Sequence, residues 1–173
     1  TITDSSRLST EEDYSAVIYS KEDLIINGNG TLNVNAGYRN GIKSTDDCII
    51  VSGTLNITST EDGIIGKDLC GIVAGDININ AGSDGIKSTY DTDTTKGNVI
   101  IEGGNITIKA SNDGIQAENI LVINDGTINI KTNNGAADTT QTHIDNMDMG
   151  RGGFGFNNNK TTTTTDDTVE SRK

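Results

Sequence analysis

Proline and tryptophan are absent from this chain, and aromatic residues make up only 3% of it. A conventional core filled by large rings is therefore excluded. One histidine, His143, occurs in 173 residues, which leaves no His-based zinc site and no Ser-His-Asp triad. Two cysteines, Cys48 and Cys70, are too few for a disulfide framework. No apolar run approaches the roughly 18 residues of a membrane-spanning helix. Positive charge is scarce: 13 basic residues face 25 acidic ones, for a net charge of −12. That balance repels nucleic acid and anionic membrane, and it favours hard cations, for which carboxylates are the preferred ligands. The sequence begins without methionine and shows no signal segment, so it is expected to be a mature or excised portion of something longer.

What the chain has instead is repetition. The phrase Gly-x-apolar-polar-apolar recurs at Gly30–Val34, Gly53–Ile57, Gly75–Ile79, Gly104–Ile108 and Gly126–Ile130, with leading glycines 23, 22, 29 and 22 residues apart. A fixed period in this range marks a solenoid, whose coils bury an apolar face only by stacking. The expected fold is all-β: a right-handed parallel β-helix of about five to six coils, each carrying three short strands. The first strand of each coil is Leu24–Ile26, Cys48–Ile50, Cys70–Ile72, Val99–Ile101 or Leu121–Ile123. The second strand is the Gly-led phrase. The third follows an Asn/Asp-Gly step: Ile42–Ser44, Ile64–Gly66, Ile86–Ser88, Ile115–Ala117.

Strand alternation turns every second side chain inward, so stacking generates columns. Leu32, Leu55, Ile77, Ile106 and Ile128 form one column. Val34, Ile57, Ile79, Ile108 and Ile130 form the next, while Ile42, Ile64, Ile86, Ile115 and Ala136 form a third. Cys48 and Cys70 fall at the same place in adjacent coils and are expected to be buried neighbours. The chain enters partway round a coil, since Ile18–Asp23 matches Ile42–Asp47. Residues 1–14 are read as a polar N-terminal segment or the remnant of a missing coil, and 15–138 as the β-helix. Residues 139–173, Gly- and Thr-rich, are read as a low-complexity, disordered tail. The one long spacing places about seven extra residues in Thr89–Gly97, and such insertions project as loops on one face of a solenoid.

Two acidic rows stand out. The Asn/Asp-Gly steps are Asn40, Asp62, Asp84, Asp113 and Asn134, each followed by glycine. Asx side chains cap such turns without any need for charge, yet the central three are all Asp. Stacked about 4.8 Å apart, bare carboxylates repel. Calcium, with Ca–O distances near 2.4 Å, could bridge two rungs. A second row lies downstream: Asp46 and Asp47, Asp68, then Asp91 and Asp93 in the insertion. Calcium is therefore expected between coils, with Asp46, Asp47, Asp62, Asp68, Asp84, Asp91, Asp93 and Asp113 as candidate ligands. Lys43, Lys87 and Gln116 occupy outward positions that could take up an acidic sugar, against the plainer reading of a solvated face. Tyr38 and Tyr90 sit at turns where a ring could stack on a pyranose.

Asn40–Asp47, Glu61–Asp68 and Ser83–Asp91 resemble the carbohydrate-binding β-helix domain of clostridial and other Firmicute surface proteins. The resemblance covers about Ala16 to Ala137. It implies a pectate-lyase-like shape, bound calcium, and non-catalytic binding of cellulose-like or pectic polysaccharide by a protein outside the cell or on its surface. The expected partner is thus a polysaccharide, with neither nucleic acid nor membrane insertion; the uncapped first coil leaves end-to-end self-association open. Two alternatives remain open on the residues. A calcium-dependent polysaccharide lyase would need Lys43, Lys87 or Arg39 as its base, and a structural or adhesion module would need no ligand at all.

Overall fold

A computed structural model describes residues 1–4, 15–133 and 169–171. The expectations at Asn134, Ala136 and His143, and most of those for 1–14 and 139–173, fall outside the described residues. The described chain forms strands only, arranged in three parallel sheets that wall a solenoid of five coils. The first wall stacks Leu24–Ile26, Asp47–Ile50, Leu69–Ile72, Asn98–Ile101 and Leu121–Ile123. The second stacks Thr31–Ala36, Thr54–Ser59, Asp76–Ala81, Asn105–Ala110 and Thr127–Thr132, with Ile2–Asp4 beside its first member. The third stacks Ala16–Ser20, Asn40–Ser44, Ile64–Gly66, Ile86–Ser88 and Ile115–Ala117.

Each wall is in register with the repeat. Val34, Ile57, Ile79, Ile108 and Ile130 are successive partners, as are Ile42, Ile64, Ile86 and Ile115. The pairing is fixed because a slip of one residue would turn the isoleucines outward and the asparagines inward. In the middle coils the inward residues are fully enclosed: Ile42, Ile64, Ile86, Ile115, Ile77 and Ile106 are all 0% exposed. Each such side chain contributes roughly 1.5–3 kcal/mol by burial, so isoleucine supplies the stabilisation that the missing aromatics do not. The end coils are less enclosed, and Leu32, Ile128 and Ile130 are only partly buried.

Cys48 and Cys70 are register partners in the first wall, both free and fully buried. Burial pushes the Cys48 thiol up to about 12 and Cys70 well above the ordinary range. Both are packing residues with little thiolate character.

Where the first wall turns into the second, a column of glycines takes the corner. Gly75 has φ +117°, and a Cβ on it would lie 2.6 Å from the carbonyl oxygen of Gly53, one coil earlier. The coil rise leaves no room there for any side chain. Gly30, in the first coil, has nothing within 4 Å of the same position.

Both ends of the chain add to the solenoid. Ile2–Asp4 pairs with Val34–Ala36, extending the second wall past the first coil. Val169–Ser171, which the sequence placed in the tail, pairs in parallel with Ile115–Ala117 and extends the third wall past the last.

Candidate functional site

Both acidic rows sit at corners, one on each side of the third wall, and their environments differ completely. At the corner between the second and third walls, the Asn/Asp-Gly residues build a ladder. Asn40 Oδ1 accepts the backbone N–H of Asp62 at 3.0 Å, Asp62 Oδ1 that of Asp84 at 3.0 Å, and Asp84 Oδ1 that of Asp113 at 3.0 Å. Asn40 also donates through Nδ2 to the Ser15 carbonyl at 2.9 Å. Asn40, Asp62 and Asp84 are buried, so these bonds satisfy amides that would otherwise be orphaned in the turn. Asn40 does the same work as the aspartates, because the rung needs one oxygen and no charge.

The remaining oxygens of the ladder meet a lysine. Lys87 Nζ lies 2.7 Å from Asp84 Oδ2 and 3.7 Å from Asp62 Oδ2. Burial works to depress this ammonium, but its hydrogen bond to Asp84 and the charges of Asp62 and Asp84 outweigh that, and its pKa is raised. The space between rungs where a calcium ion was expected at Asp62 and Asp84 thus holds an internal cation with both carboxylates already paired.

The other outward residues of the third wall are similarly engaged. Lys43 Nζ donates to Ser15 Oγ at 3.1 Å. Gln116 is buried, and Ile65 between Lys43 and Lys87 is only 4% exposed. Tyr38 is half-buried, with the Arg39 guanidinium 5.4 Å from its ring centre and Arg39 facing Glu61 at 3.9 Å. Arg39 is the one non-glycine residue with positive φ among those described, at 56°.

At the corner between the third and first walls the picture reverses. Carboxylate oxygens of Asp23, Asp46 and Asp47 lie within 4.8 Å of one another. The neighbouring Asp68 carboxyl of the next coil, then desolvation and the charge of Asp23, raise the pKa of Asp46. Asp47 is raised as well, first by desolvation and then by Asp23, Asp46 and Asp68. The Asp47 N–H donates weakly to Asp23 at 3.3 Å, and the cation that reaches the group is Lys96, whose ammonium binds Asp68. Asp23, Asp46 and Asp47, from two adjacent coils, offer an all-oxygen donor set, which suits calcium or another hard cation.

The structure therefore brings Asp46 and Asp47 together with Asp23, which the sequence had not singled out, while Asp68 of the next coil lies outside that group and pairs with Lys96. The signal for Asp23 was present, since Ile18–Asp23 aligns with Ile42–Asp47. Asp91 and Asp93 do not join them. Both are exposed in the inserted loop, and Asp93 accepts from the Thr95 N–H at 2.9 Å and its hydroxyl at 2.7 Å, bonds that lower its pKa. Tyr90, at the start of that loop, has Lys67 at 4.8 Å and Lys96 at 5.1 Å from its ring centre.

The outward face of the second wall is flat and polar. Asn56 donates to Asn33 at 2.8 Å and Asn78 to Asn56 at 3.0 Å, forming a side-chain ladder along the axis. Beside it, Thr58, Asn80, Thr107 and Lys109 help line a shallow groove of about 260 Å³.

The fold and its surface define a parallel β-solenoid with an acidic corner and a flat polar wall. The chain belongs to the family described as carbohydrate-binding domain-containing protein, whose profile matches residues 1–173. A protein of that description from Acetivibrio thermocellus is 45% identical over 42 residues, which cover 24% of this chain and 15% of that protein. The polysaccharide lyase-like protein from C. thermocellum, solved as a gadolinium derivative, superposes with a TM-score of 0.61 at 35% identity, covering 72% of this chain and 53% of its own. The chain thus spans about half of that structure and a smaller share of the Acetivibrio protein.

Proposed function

We propose that this domain binds linear polysaccharide without cleaving it, and that calcium organises the corner formed by Asp23, Asp46 and Asp47. The observation that carries the non-catalytic reading is the clamping of Lys87 between Asp84 and Asp62. Lyase chemistry needs a neutral base beside the metal to take a proton from the sugar. Lys87, with its pKa raised by those carboxylates, stays protonated at neutral pH, Lys43 is turned to Ser15 Oγ as a donor, and Arg39 is always charged. Calcium would relieve the repulsion among these corner carboxylates and supply a hard charge to which hydroxyl or carboxylate oxygens of a glycan could also bind. Asp62, Asp84 and Asp113 have a structural role in this reading.

The second wall offers the flat surface on which a cellulose-like or pectic chain would lie, touching Asn33, Asn56, Asn78 and the Thr58–Asn80 groove. The domain would then work outside the cell, where such polymers are met. The gadolinium derivative of the related structure is a relative prepared with a hard cation, in keeping with a family fold that tolerates one.

The test is a retention assay on insoluble cellulose and on immobilised polygalacturonate, with and without chelator, run beside an absorbance assay for unsaturated sugar ends. Retention that chelator weakens, with no rise in absorbance, is the expected result. Sustained formation of unsaturated ends would establish the lyase instead, and failure to be retained on any glycan would favour a structural module.

A further inference from the structure

We propose that Asn29–Gly30, at the corner between the first and second walls, is a site of spontaneous backbone modification. The Gly30 backbone nitrogen attacks the side-chain carbonyl carbon of Asn29. A C–N bond forms to close a five-membered imide, the bond to the side-chain nitrogen breaks, and that nitrogen leaves as ammonia with the proton from Gly30. Water then opens the imide at either carbonyl, leaving aspartate or isoaspartate, so an amide becomes a carboxylate with no reaction partner but water. Glycine suits the attacking position because it has no Cβ to obstruct the approach. Asparagine precedes glycine at Asn27, Asn29, Asn40 and Asn134. The last lies outside the described residues, and the fold treats the other three differently.

Attack requires the asparagine side chain to swing onto the next nitrogen at near-contact distance. At Asn40 the fold forbids it. That residue is 4% exposed, its Oδ1 accepts the Asp62 N–H, its Nδ2 donates to the Ser15 carbonyl, and the Gly41 N–H donates to the Asp62 carbonyl at 3.0 Å. All three bonds must open first, which takes local unfolding of the coil. At Asn27 the restraint is one hydroxyl: Ser52 Oγ donates to Asn27 Oδ1 at 2.8 Å and accepts the Gly28 N–H at 3.2 Å. At Asn29 there is none. Asn29 and Gly30 are exposed and lie between strands, and neither the Asn29 side chain nor the Gly30 N–H has a hydrogen bond among the described residues. The corner is also slack. Ile26 pairs with Ile50 and Leu32 with Leu55, so five residues span here what four span in the next coil.

The product fits the same corner. Nothing lies within 4 Å of a Cβ on Gly30, and the Gly30 carbonyl, untouched by the reaction, keeps the Thr54 N–H at 2.9 Å. The first coil thus gains a negative charge, and in isoaspartate an extra backbone carbon, without loss of register.

The experiment is incubation of the folded chain at mildly alkaline pH, sampled over days and digested with trypsin for peptide mass spectrometry, beside the same chain in denaturant. Cleavage after Lys21, Arg39 and Lys43 separates Asn27 and Asn29 from Asn40, and fragmentation distinguishes the first two. In the folded chain Asn29 should convert several-fold faster than Asn27, with Asn40 slowest; in denaturant the three rates should converge. Gly30→Ala, which meets open space, should slow Asn29 several-fold with an unchanged melting temperature. Ser52→Ala should speed Asn27 and leave Asn29 as it was, and an unmoved Asn27 would remove Ser52 as its restraint. Conversion of Asn27 or Asn40 at the rate of Asn29 in the folded chain, the same spread of rates in denaturant, or an Asn29 rate that Gly30→Ala leaves unchanged would overturn the proposal.

Discussion

The two acidic corners of the solenoid use the same residue, stacked at the same interval, for opposite ends. At the Asp-Gly corner Asp62 and Asp84 each accept a backbone amide on one oxygen and share an ammonium on the other. At the opposite corner Asp23, Asp46 and Asp47 crowd one another, and the nearest cation is bound to Asp68. What separates the two corners is the supply of donors around the acid, and the number of carboxylates says nothing about it. A saturated row is part of the wall. An unsaturated row holds electrostatic repulsion that a bound ion would relieve.

That contrast can be broken most severely at the ladder. Asp84→Ala should cost about 2–4 kcal/mol, because it orphans the part-buried Asp113 amide and strips Lys87 of its closer partner; a chemical denaturation midpoint measures it. Asp84→Asn keeps the acceptor, as Asn40 does naturally, and should cost markedly less. Neither change should alter calcium affinity, and a loss of calcium binding in Asp84→Asn would move the metal site to the ladder. Calcium itself comes next. At a concentration about a hundred times its Kd it should stabilise the fold by about 2.7 kcal/mol, seen as an upward shift in melting temperature that chelator reverses.

A smaller effect is expected from the double change Asp23→Asn with Asp46→Asn. In chelator it should raise the melting temperature slightly by removing repulsion, while abolishing the shift with calcium. The smallest is a pH effect in chelator. Asp46 and Asp47 have folded pKa values raised above the ordinary 3.8, so the folded state holds protons more tightly than the unfolded one. Their contribution is greatest below that value and is lost as pH rises through their folded pKa. Asp93 is shifted the other way, so its contribution fades only as pH falls below 3.8. Melting followed from pH 4 upward with chelator present should therefore show a decline that Asp46→Asn with Asp47→Asn reduces.

Much of the wall is legible in the residues alone, because a column is a one-dimensional pattern: Val34, Ile57, Ile79 and Ile108 recur along the chain as they stack in space. The site is less so. The role of Asp84 depends on Lys87 three residues ahead and on Asp62 one coil back, a contact that needs both outward faces to be known. Asn40 holds the clue, since an amide at the first rung shows that the turn needs an acceptor alone. Asp23 is hidden by standing before the first full coil, although its alignment with Asp47 points to it. The pairing of Lys96 with Asp68 spans 28 residues and an insertion, and no spacing rule predicts where an inserted loop sets down its charge.

The glycine corner carries a consequence of another kind. Alanine at Gly30 meets open space, whereas at Gly75 it meets the carbonyl of the coil before it. Tolerance to mutation at this corner therefore follows stacking: a glycine with another coil's carbonyl packed beneath it is held, and one without is not. A gene that lengthens such a protein by copying a coil must copy its glycine too, and a coil promoted to the front by deletion is released from that requirement. The pattern of permitted substitutions at this one corner would reveal, in a library screened for folding alone, which coil comes first.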